Sequence, residues 1–139
     1  MFLLDTNVVS ELRKAASGKA DANLVAWAQT IETSQLYISA ITVLELELGV
    51  LQIERRDGPQ AKMLRQWLDG QVLPTFAERT LPVTSAIAKT CARLHVPDPR
   101  SERDALIAAT ALTHNLTVVT RNLADFAKTG ARVLNPWAG

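Results

Sequence analysis

Short apolar runs alternate with stretches of helical periodicity along the chain. The β-prone runs predict strands over 2–4, 36–39, 81–83, 116–120 and 132–134. Helical spacing predicts helices over 8–14, 24–33, 42–56, 84–94 and 101–114, with a further helical stretch around Trp67. Strands that alternate with helices are typical of α/β proteins, in which helices cover both faces of a parallel sheet. The pattern therefore predicts an α/β fold with a central, mostly parallel sheet.

Acidic and amide side chains follow the predicted strands or begin the helices after them. Asp5 comes directly after the first strand, and Glu45 and Asp104 lie in the first turns of predicted helices. Asn122 and Asp125 lie in the loop that follows strand 116–120. Because the carboxyl ends of parallel strands meet at one edge of a sheet, we expect these side chains to face one crevice.

Helix capping is the alternative explanation for three of these acids. Asp5 fits an N-cap for the first helix, which satisfies free backbone N–H groups. The spacings Thr42-x-x-Glu45 and Ser101-x-x-Asp104 match a capping box and its Asp variant. A cap in the first turn after a strand still projects toward the same crevice, so capping and chemistry are compatible at these positions.

Size and charge exclude several classes of protein. With 139 residues and 47% hydrophobic content, the chain is expected to form one domain over 1–139. Its net charge of +1 excludes a global field that would draw it onto a polyanion or a membrane. Cys91, the single cysteine, lies in an apolar helical pattern that predicts a buried thiol rather than a nucleophile. With no leader or membrane segment apparent, we expect a cytoplasmic protein.

Clustered carboxylates indicate a cation site. Carboxylates without counter-charge repel one another, and proteins accept that cost chiefly where a cation binds. An all-oxygen site selects Mg²⁺ or Mn²⁺ over Zn²⁺. His95 and His114 fall at predicted helix ends, where we expect them to interact with helix C-termini rather than with a metal.

Five motifs carry a family resemblance over nearly the full chain. They are Asp5-Thr6-Asn7, the segment 39–49 (SAITVLELELG), the segment 104–111 (DALIAATA), Val119-Thr120-Arg121-Asn122 with Asp125-Phe126, and Asn135-Pro136-Trp137. In this order they resemble the PIN-domain ribonucleases, and within them the VapC/FitB toxin branch. The resemblance implies a PIN-like three-layer sandwich with about five strands, compatible with the predicted α/β alternation.

The resemblance also implies a function and a set of site residues. It implies a Mg²⁺-dependent endoribonuclease, the toxin of a toxin–antitoxin pair, that acts on RNA, binds a VapB-like antitoxin and forms a homodimer. Asp5, Glu45 and Asp104 correspond to the family's metal site. The fourth position is open, because some relatives have an acid where Asn122 stands and others have the Asn and rely on the acid that matches Asp125.

Further residues are expected to act around that metal site. The hydroxyls of Thr6 and Thr120 match family positions near the metal, and Asn7, Arg121 and Asn122 are expected to contact substrate. The mechanistic hypothesis is that Asp5 and Asp104 hold Mg²⁺ while Glu45 positions or deprotonates the attacking water. The basic residues beside the acidic motifs, which would hold phosphates or are simply solvated, are Arg13, Lys14, Arg100, Arg103 and Arg121.

Other functions fit the sequence less well. A phosphatase with an aspartyl nucleophile would have a second acid two positions after Asp5, where Asn7 stands. A phosphoacceptor receiver domain would have adjacent acids near the first strand, where Leu3 and Leu4 stand. The alternative from another class is a catalytically weak PIN-fold binding module that is regulated through docking of a partner protein. The apolar positions Leu44, Leu48, Leu51, Trp27 and Trp67 are expected to lie in the core rather than at an interface.

Overall fold

A computed structural model describes residues 1–138 and shows a five-stranded parallel sheet within them. The strands are β1 (Phe2–Leu4), β2 (Leu36–Ser39), β3 (Thr80–Leu81), β4 (Thr117–Val119) and β5 (Val133–Leu134). The helices are α1 (Thr6–Leu12), α2 (Ala22–Gln29), α3 (Ala40–Glu54), α4 (Gly58–Trp67), α5 (Leu73–Thr75), α6 (Ser85–Leu94), α7 (Glu102–His114) and α8 (Leu123–Phe126). A π-helical turn, Leu68–Val72, joins α4 to α5, and the 3₁₀ turns are Ala15–Ser17, Thr33–Gln35 and Pro136–Ala138.

The strand order β3-β2-β1-β4-β5 puts the first strand at the centre of the sheet. Leu3 pairs with Tyr37 of β2 on one side and with Val118 of β4 on the other, and each neighbouring pair is parallel. The chain therefore winds outward in one direction from β1 to β3 and in the other from β4 to β5. Ligands of open α/β sheets bind where the winding direction changes, which here is at the carboxyl ends of β1 and β4.

Apolar side chains from the two faces of the sheet form two core clusters. Leu4 and Ile38 lie in the cluster that also contains residues of α1, α2 and α3 and of the segment 68–76. Leu3 and Val118 lie in the cluster that packs against α7. Successive residues of a strand point to opposite faces, so Leu3 and Leu4 contribute to different layers. The predicted three-layer sandwich with helices on both faces is confirmed.

Several predicted boundaries move because of local hydrogen bonds. Helix α1 begins at Thr6 rather than at residue 8, since the Asp5 carboxylate accepts the Thr6 backbone N–H at 2.8 Å. Helix α3 begins at Ala40, since the Ser39 hydroxyl accepts the Ile41 N–H at 2.9 Å. The predicted capping box at Thr42 and Glu45 is therefore wrong, because both residues lie inside the helix.

Three other predictions need correction. The third strand is Thr80–Leu81 rather than 81–83, and the predicted loop after β4 contains the short helix α8. Leu44 and Leu51 are 46% and 47% exposed, so their expected place in the core is wrong, whereas Trp27 and Trp67 do pack against it.

Among residues 1–138, no helix is both long enough and apolar enough to cross a lipid bilayer.

Candidate active site

Asp5 lies at the point where the winding direction of the sheet changes and is only 6% exposed. Its Oδ1 accepts the Thr6 N–H, so it caps α1 as predicted. Its Oδ2 accepts the Thr120 hydroxyl at 2.8 Å and faces the Asn7 amide at 3.3 Å. Burial raises the pKa of Asp5 above its usual value, while these hydrogen bonds from Thr120 and Thr6 act in the opposite direction.

Glu45 approaches Asp5 from α3 through a hydroxyl bridge. The Thr6 hydroxyl donates to Glu45 Oε1 at 2.6 Å and lies 3.2 Å from the Thr42 hydroxyl. The charge on Glu45 adds to the rise in the pKa of Asp5, so the two carboxylates interact. Thr6 therefore links Asp5, through its backbone N–H, to Glu45 in α3, through its hydroxyl.

The loop after β4 is held against the start of α1. The Thr120 hydroxyl, which donates to Asp5, also accepts the Asn122 N–H at 3.0 Å. Asn7 Oδ1 accepts the Arg121 N–H at 3.3 Å. The Thr120–Asp5 and Arg121–Asn7 bonds join residues 115 and 114 positions apart in sequence, and the Thr120 bond orients the Asp5 carboxylate.

Asp104 projects from the first turn of α7 into the same region. Burial raises its pKa to about 6, and the charges of Asp125, Asp5 and Glu45 add to that rise. A hydrogen bond with the Ser101 side chain acts in the opposite direction. Repulsion from three other acids therefore adds to the effect of burial at Asp104, as expected for carboxylates that gather around a cation site.

These side chains open on a pocket of about 550 Å³. Its wall contains both acidic and basic residues. The lining residues are Asp5, Thr6, Asn7, Ser10, Glu11, Arg13, Lys14, Glu45, Asp104, Arg121, Asn122 and Trp137. The pocket thus combines a set of carboxylates with cations able to contact phosphates.

The predicted basic residues divide into three groups. Arg13, Lys14 and Arg121 line the pocket, and the Arg121 guanidinium lies 5.6 Å from the centre of the Trp137 ring. Arg103 Nη1 lies 3.7 Å from Glu45 Oε2, so it faces the acids. Arg100 donates instead to the carbonyls of Leu94 and Ala127 and is not among the residues that line the pocket.

The model of the PIN domain family matches residues 2–131, which is nearly the whole chain. The chain belongs to the PIN domain family.

Similar proteins cover the PIN domain from end to end. The chain is 40% identical to "VapC ribonuclease Y4jK" of Sinorhizobium fredii, covering 99% of this chain and 98% of that protein. It is 37% identical to "Toxin FitB" of Neisseria gonorrhoeae, covering 99% of both. A solved structure described as FitAcB from Neisseria gonorrhoeae superposes with a TM-score of 0.88 at 37% identity over 99% of both chains.

The PIN domain brings most of the predicted site residues together. Asp5, Glu45 and Asp104 line one pocket with Thr6, Asn7, Arg121 and Asn122, and Thr120 lies buried behind Asp5. Asp125 is exposed and lies outside the set of residues that line the pocket, although its charge raises the pKa of both Asp5 and Asp104. Asn122 therefore lines the pocket wall. Asp125 lies beyond that wall, at the rim of the pocket, and its charge affects Asp5 and Asp104.

Three lining residues were not predicted. Ser10 and Glu11 lie four positions after Thr6 and Asn7, so helical periodicity along α1 could have indicated them. Glu11 accepts the Asp21 N–H and pairs with Lys14 at 2.8 Å, and the hydrogen bond with Lys14 lowers its pKa. Trp137 belongs to a recognised motif, but its position at the pocket depends on the path of the chain after β5.

The donor set of the pocket fits a hard divalent cation. Its ligand candidates are carboxylate, hydroxyl and amide oxygens, which suit Mg²⁺ or Mn²⁺. Within the described residues, no three acids at this pocket bring ligand oxygens within 4.8 Å of one another. Mg²⁺ keeps several water ligands in most protein sites, so a set of carboxylates with this wider spacing is suitable for it.

Proposed function

We propose that this PIN domain is a divalent-cation-dependent endoribonuclease and the toxin of a toxin–antitoxin pair. The observation that carries the proposal is the convergence of Asp5, Glu45 and Asp104 on one pocket, with the pKa values of Asp5 and Asp104 raised by burial and mutual charge. Relatives named as a ribonuclease and as a toxin, each at nearly full coverage, support the same conclusion.

The acids would hold Mg²⁺ or Mn²⁺, and the neighbouring residues would keep the acids in place. Asp5, Glu45 and Asp104 are the ligands we propose. A cation bound there would act as a Lewis acid, which would offset charge on the phosphate oxygens and lower the pKa of bound water. Thr6 holds Glu45 so that it can position the attacking water or accept its proton.

The remaining polar residues would position the substrate. Asn122 and Asp125 both remain candidates for the fourth site residue, Asn122 from the pocket wall and Asp125 from the rim. Arg13, Lys14 and Arg121 lie where the phosphates of an RNA strand would pass an otherwise acidic pocket. Asn7 and Thr120 orient Asp5 and the loop that carries Arg121.

Two isosteric substitutions test the nuclease proposal. Asp5→Asn and Asp104→Asn remove one carboxylate charge each while keeping the shape of the side chain. We expect Mg²⁺-dependent RNA cleavage to fall by more than about 100-fold in each variant, which exceeds the usual effect of losing an outer-shell partner of a metal. Circular dichroism and thermal unfolding would establish that both variants remain folded.

The matched control is Asp98→Asn, which removes an exposed carboxylate outside the pocket. This variant should cleave RNA as the wild type does and show the same dependence on Mg²⁺ and Mn²⁺. Undiminished cleavage by both pocket variants would overturn the proposal. It would favour the alternative, a catalytically weak PIN-fold binding module whose function is partner docking.

A groove next to the pocket is the site we propose for the antitoxin. It has a volume of about 340 Å³ and mostly apolar walls from β1, α1 and the segment 67–76, including Leu12, Trp67 and Phe76. Arg13 lines both the groove and the acidic pocket, so a peptide in the groove would end beside the acids. A short apolar antitoxin segment fits this surface, and a similar solved structure is described as FitAB bound to DNA.

The docking proposal is tested by adding a charge to the groove. Ala16 is exposed on the groove wall, and Ala92 is exposed on α6 outside it. The chain would be co-expressed with the product of a small reading frame adjacent to its gene. Ala16→Glu should abolish co-purification and inhibition, whereas Ala92→Glu should retain both. Equal binding of the antitoxin by the two variants would exclude the groove as its docking site.

The homodimer stays a prediction, which sedimentation of the purified chain would test.

A further inference from the structure

A second group of metal-ligating side chains lies outside the acidic pocket, at the junction of α6 and α7. Cys91 belongs to the last two turns of α6, His95 occupies the position after the helix, and Glu102 is the first residue of α7. Their ligand atoms all lie within 4.8 Å of one another. Cys91 and His95 lie at the end of α6, and Glu102 lies at the start of α7 after the connecting loop. The packing of α6 on α7 therefore brings the three residues together.

The distances within this group match the edges of a tetrahedral metal site. Cys91 Sγ lies 3.9 Å from His95 Nε2 and 3.5 Å from Glu102 Oε1, and His95 Nε2 lies 3.3 Å from Glu102 Oε2. Zinc bonds of about 2.0 to 2.3 Å at tetrahedral angles place ligand atoms roughly 3.4 to 3.6 Å apart. The side chains therefore need little movement to share one ion.

We propose that Cys91, His95 and Glu102 form a second cation site, specific for a borderline ion of the Zn²⁺ class and separate from the oxygen-only pocket. Sulfur and imidazole ligands favour Zn²⁺ over Mg²⁺, and three protein ligands leave a fourth position for water. The Cys91 side chain is buried, whereas the Glu102 side chain is 70% exposed, so an ion enters from the Glu102 side.

Binding of an ion would require protons on Cys91 and His95 to move. Desolvation raises the pKa of the Cys91 thiol to about 11, so the thiol is protonated before an ion arrives and its proton passes to solvent on binding. The Arg100 N–H donates to His95 Nδ1 at 3.2 Å, which places the ring proton on Nε2 in the metal-free protein. On binding, the proton moves to Nδ1 and the Arg100 contact is given up.

The site would connect α6 to the part of α7 that carries Asp104. The ion would join the end of α6 to the first turn of α7, two residues before Asp104. A ligated Glu102 would restrain the turn from which Asp104 projects into the acidic pocket. The metal site and the proposed nuclease are tested by different measurements, so either proposal can fail alone.

Cobalt titration of the full-length, EDTA-treated protein tests the site. Co²⁺ substitutes for Zn²⁺ in such sites, and a thiolate ligand gives a charge-transfer absorption band that an oxygen-only pocket does not give. We expect one equivalent of Co²⁺ to produce the band and one equivalent of Zn²⁺ to abolish it. The Asp5→Asn protein should behave identically, because its altered residue belongs to the other site.

Matched variants separate the three-ligand site from binding by the thiol alone. His95→Ala and Glu102→Gln should each weaken Co²⁺ binding by at least tenfold, whereas His114→Ala, which alters an exposed residue at the other end of α7, should leave it unchanged. Cys91→Ser should lose the band, and the Glu102→Gln result covers the case in which that buried substitution fails to fold. Absence of a thiolate band in the wild type, or its persistence in both His95→Ala and Glu102→Gln, would overturn the proposal.

Discussion

Asp104 shows how the charge state of one side chain follows from its neighbours. Its pKa of about 6 reflects burial first, and then repulsion from Asp125, Asp5 and Glu45. In the unfolded chain these causes are absent and the carboxyl ionises near pH 4. Between about pH 4 and pH 6 the folded protein therefore holds this proton more than the unfolded chain does, and stability contributed by Asp104 falls as the pH rises through that window.

This linkage gives a prediction for the cation-free protein. In EDTA at pH 7.5, Asp104→Asn should unfold at a higher temperature than the wild type, because it removes a charge that is partly buried and that three other carboxylates repel. The difference should shrink as the pH is lowered toward 4, where the wild-type Asp104 is protonated. Thermal unfolding across this range measures it, with Asp98→Asn as the control. A pH-independent difference between Asp104→Asn and wild type would contradict the assigned cause.

At the residue scale, sequence reasoning found the acids, and the family resemblance indicated the Thr6 and Thr120 hydroxyls, but neither showed which acid each hydroxyl contacts. Asp5, Glu45 and Asp104 were indicated by their positions next to strands and helix starts. The contacts that set their charge and orientation, such as the Thr6 hydroxyl on Glu45 and the Thr120 hydroxyl on Asp5, join residues 39 and 115 positions apart. No local pattern encodes such a pairing, because it depends on which elements pack together.

At the element scale, helix starts decide where the acids stand. Ser39 is fully buried, and its hydroxyl accepts the Ile41 N–H at the start of α3, the helix that carries Glu45. Asp57 caps α4 in the same way by accepting the Gln60 N–H at 3.1 Å, far from the acids in sequence and exposed. The two caps are chemically similar, but the helix that each one begins has a different place in the proposed function.

Removing each cap should therefore have different effects on cleavage. Ser39→Ala and Asp57→Ala should each lower the free energy of unfolding by about 1 kcal/mol, the usual cost of losing an N-cap. Ser39→Ala should also reduce RNA cleavage at a temperature where the protein is folded, since the first turns of α3 position Glu45. Asp57→Ala should cleave normally under the same conditions. Parallel losses of activity in both variants would show that cleavage follows stability alone.

Element prediction was most accurate where local chemistry is decisive. Asn115 adopts a left-handed conformation with φ of 56° and ends α7, as its residue type suggested. The start of α3 was misplaced because Thr42-x-x-Glu45 has the spacing of a capping box, while Ser39 three residues earlier makes the actual cap. Spacing alone does not distinguish the two, because both serines and threonines accept a backbone N–H.

At the scale of the whole molecule, a net charge of +1 conceals the charged groups that meet at the pocket. Four acids line the pocket together with Arg13, Lys14 and Arg121, and one of those acids, Glu11, pairs with Lys14. Binding of a polyanion such as RNA would then depend on a few positioned cations rather than on the field of the protein. The number of those cations determines how steeply salt weakens the complex.

The salt dependence of RNA binding tests this arrangement. Lys14→Gln and Arg121→Gln, each made in non-cleaving Asp104→Asn protein, should reduce the slope of log K against log salt concentration by about 0.7, the value for one phosphate contact on a single strand. Arg56→Gln removes an exposed cation outside the pocket and should leave the slope unchanged. Equal slopes in all three variants would exclude Lys14 and Arg121 as phosphate contacts.

The sequence by itself determined the element order, the α/β class and the acids at the carboxyl ends of the strands, because hydrophobic periodicity and strand-end position are local properties. Tertiary structure alone decided that β1 lies between β2 and β4, which brings Thr120 to Asp5 and opens the pocket where the winding changes direction. It also decided that Trp137 lines that pocket and that Cys91, His95 and Glu102 meet. These outcomes depend on packing between distant segments, where the energy comes from burial and contact rather than from any residue's own preference.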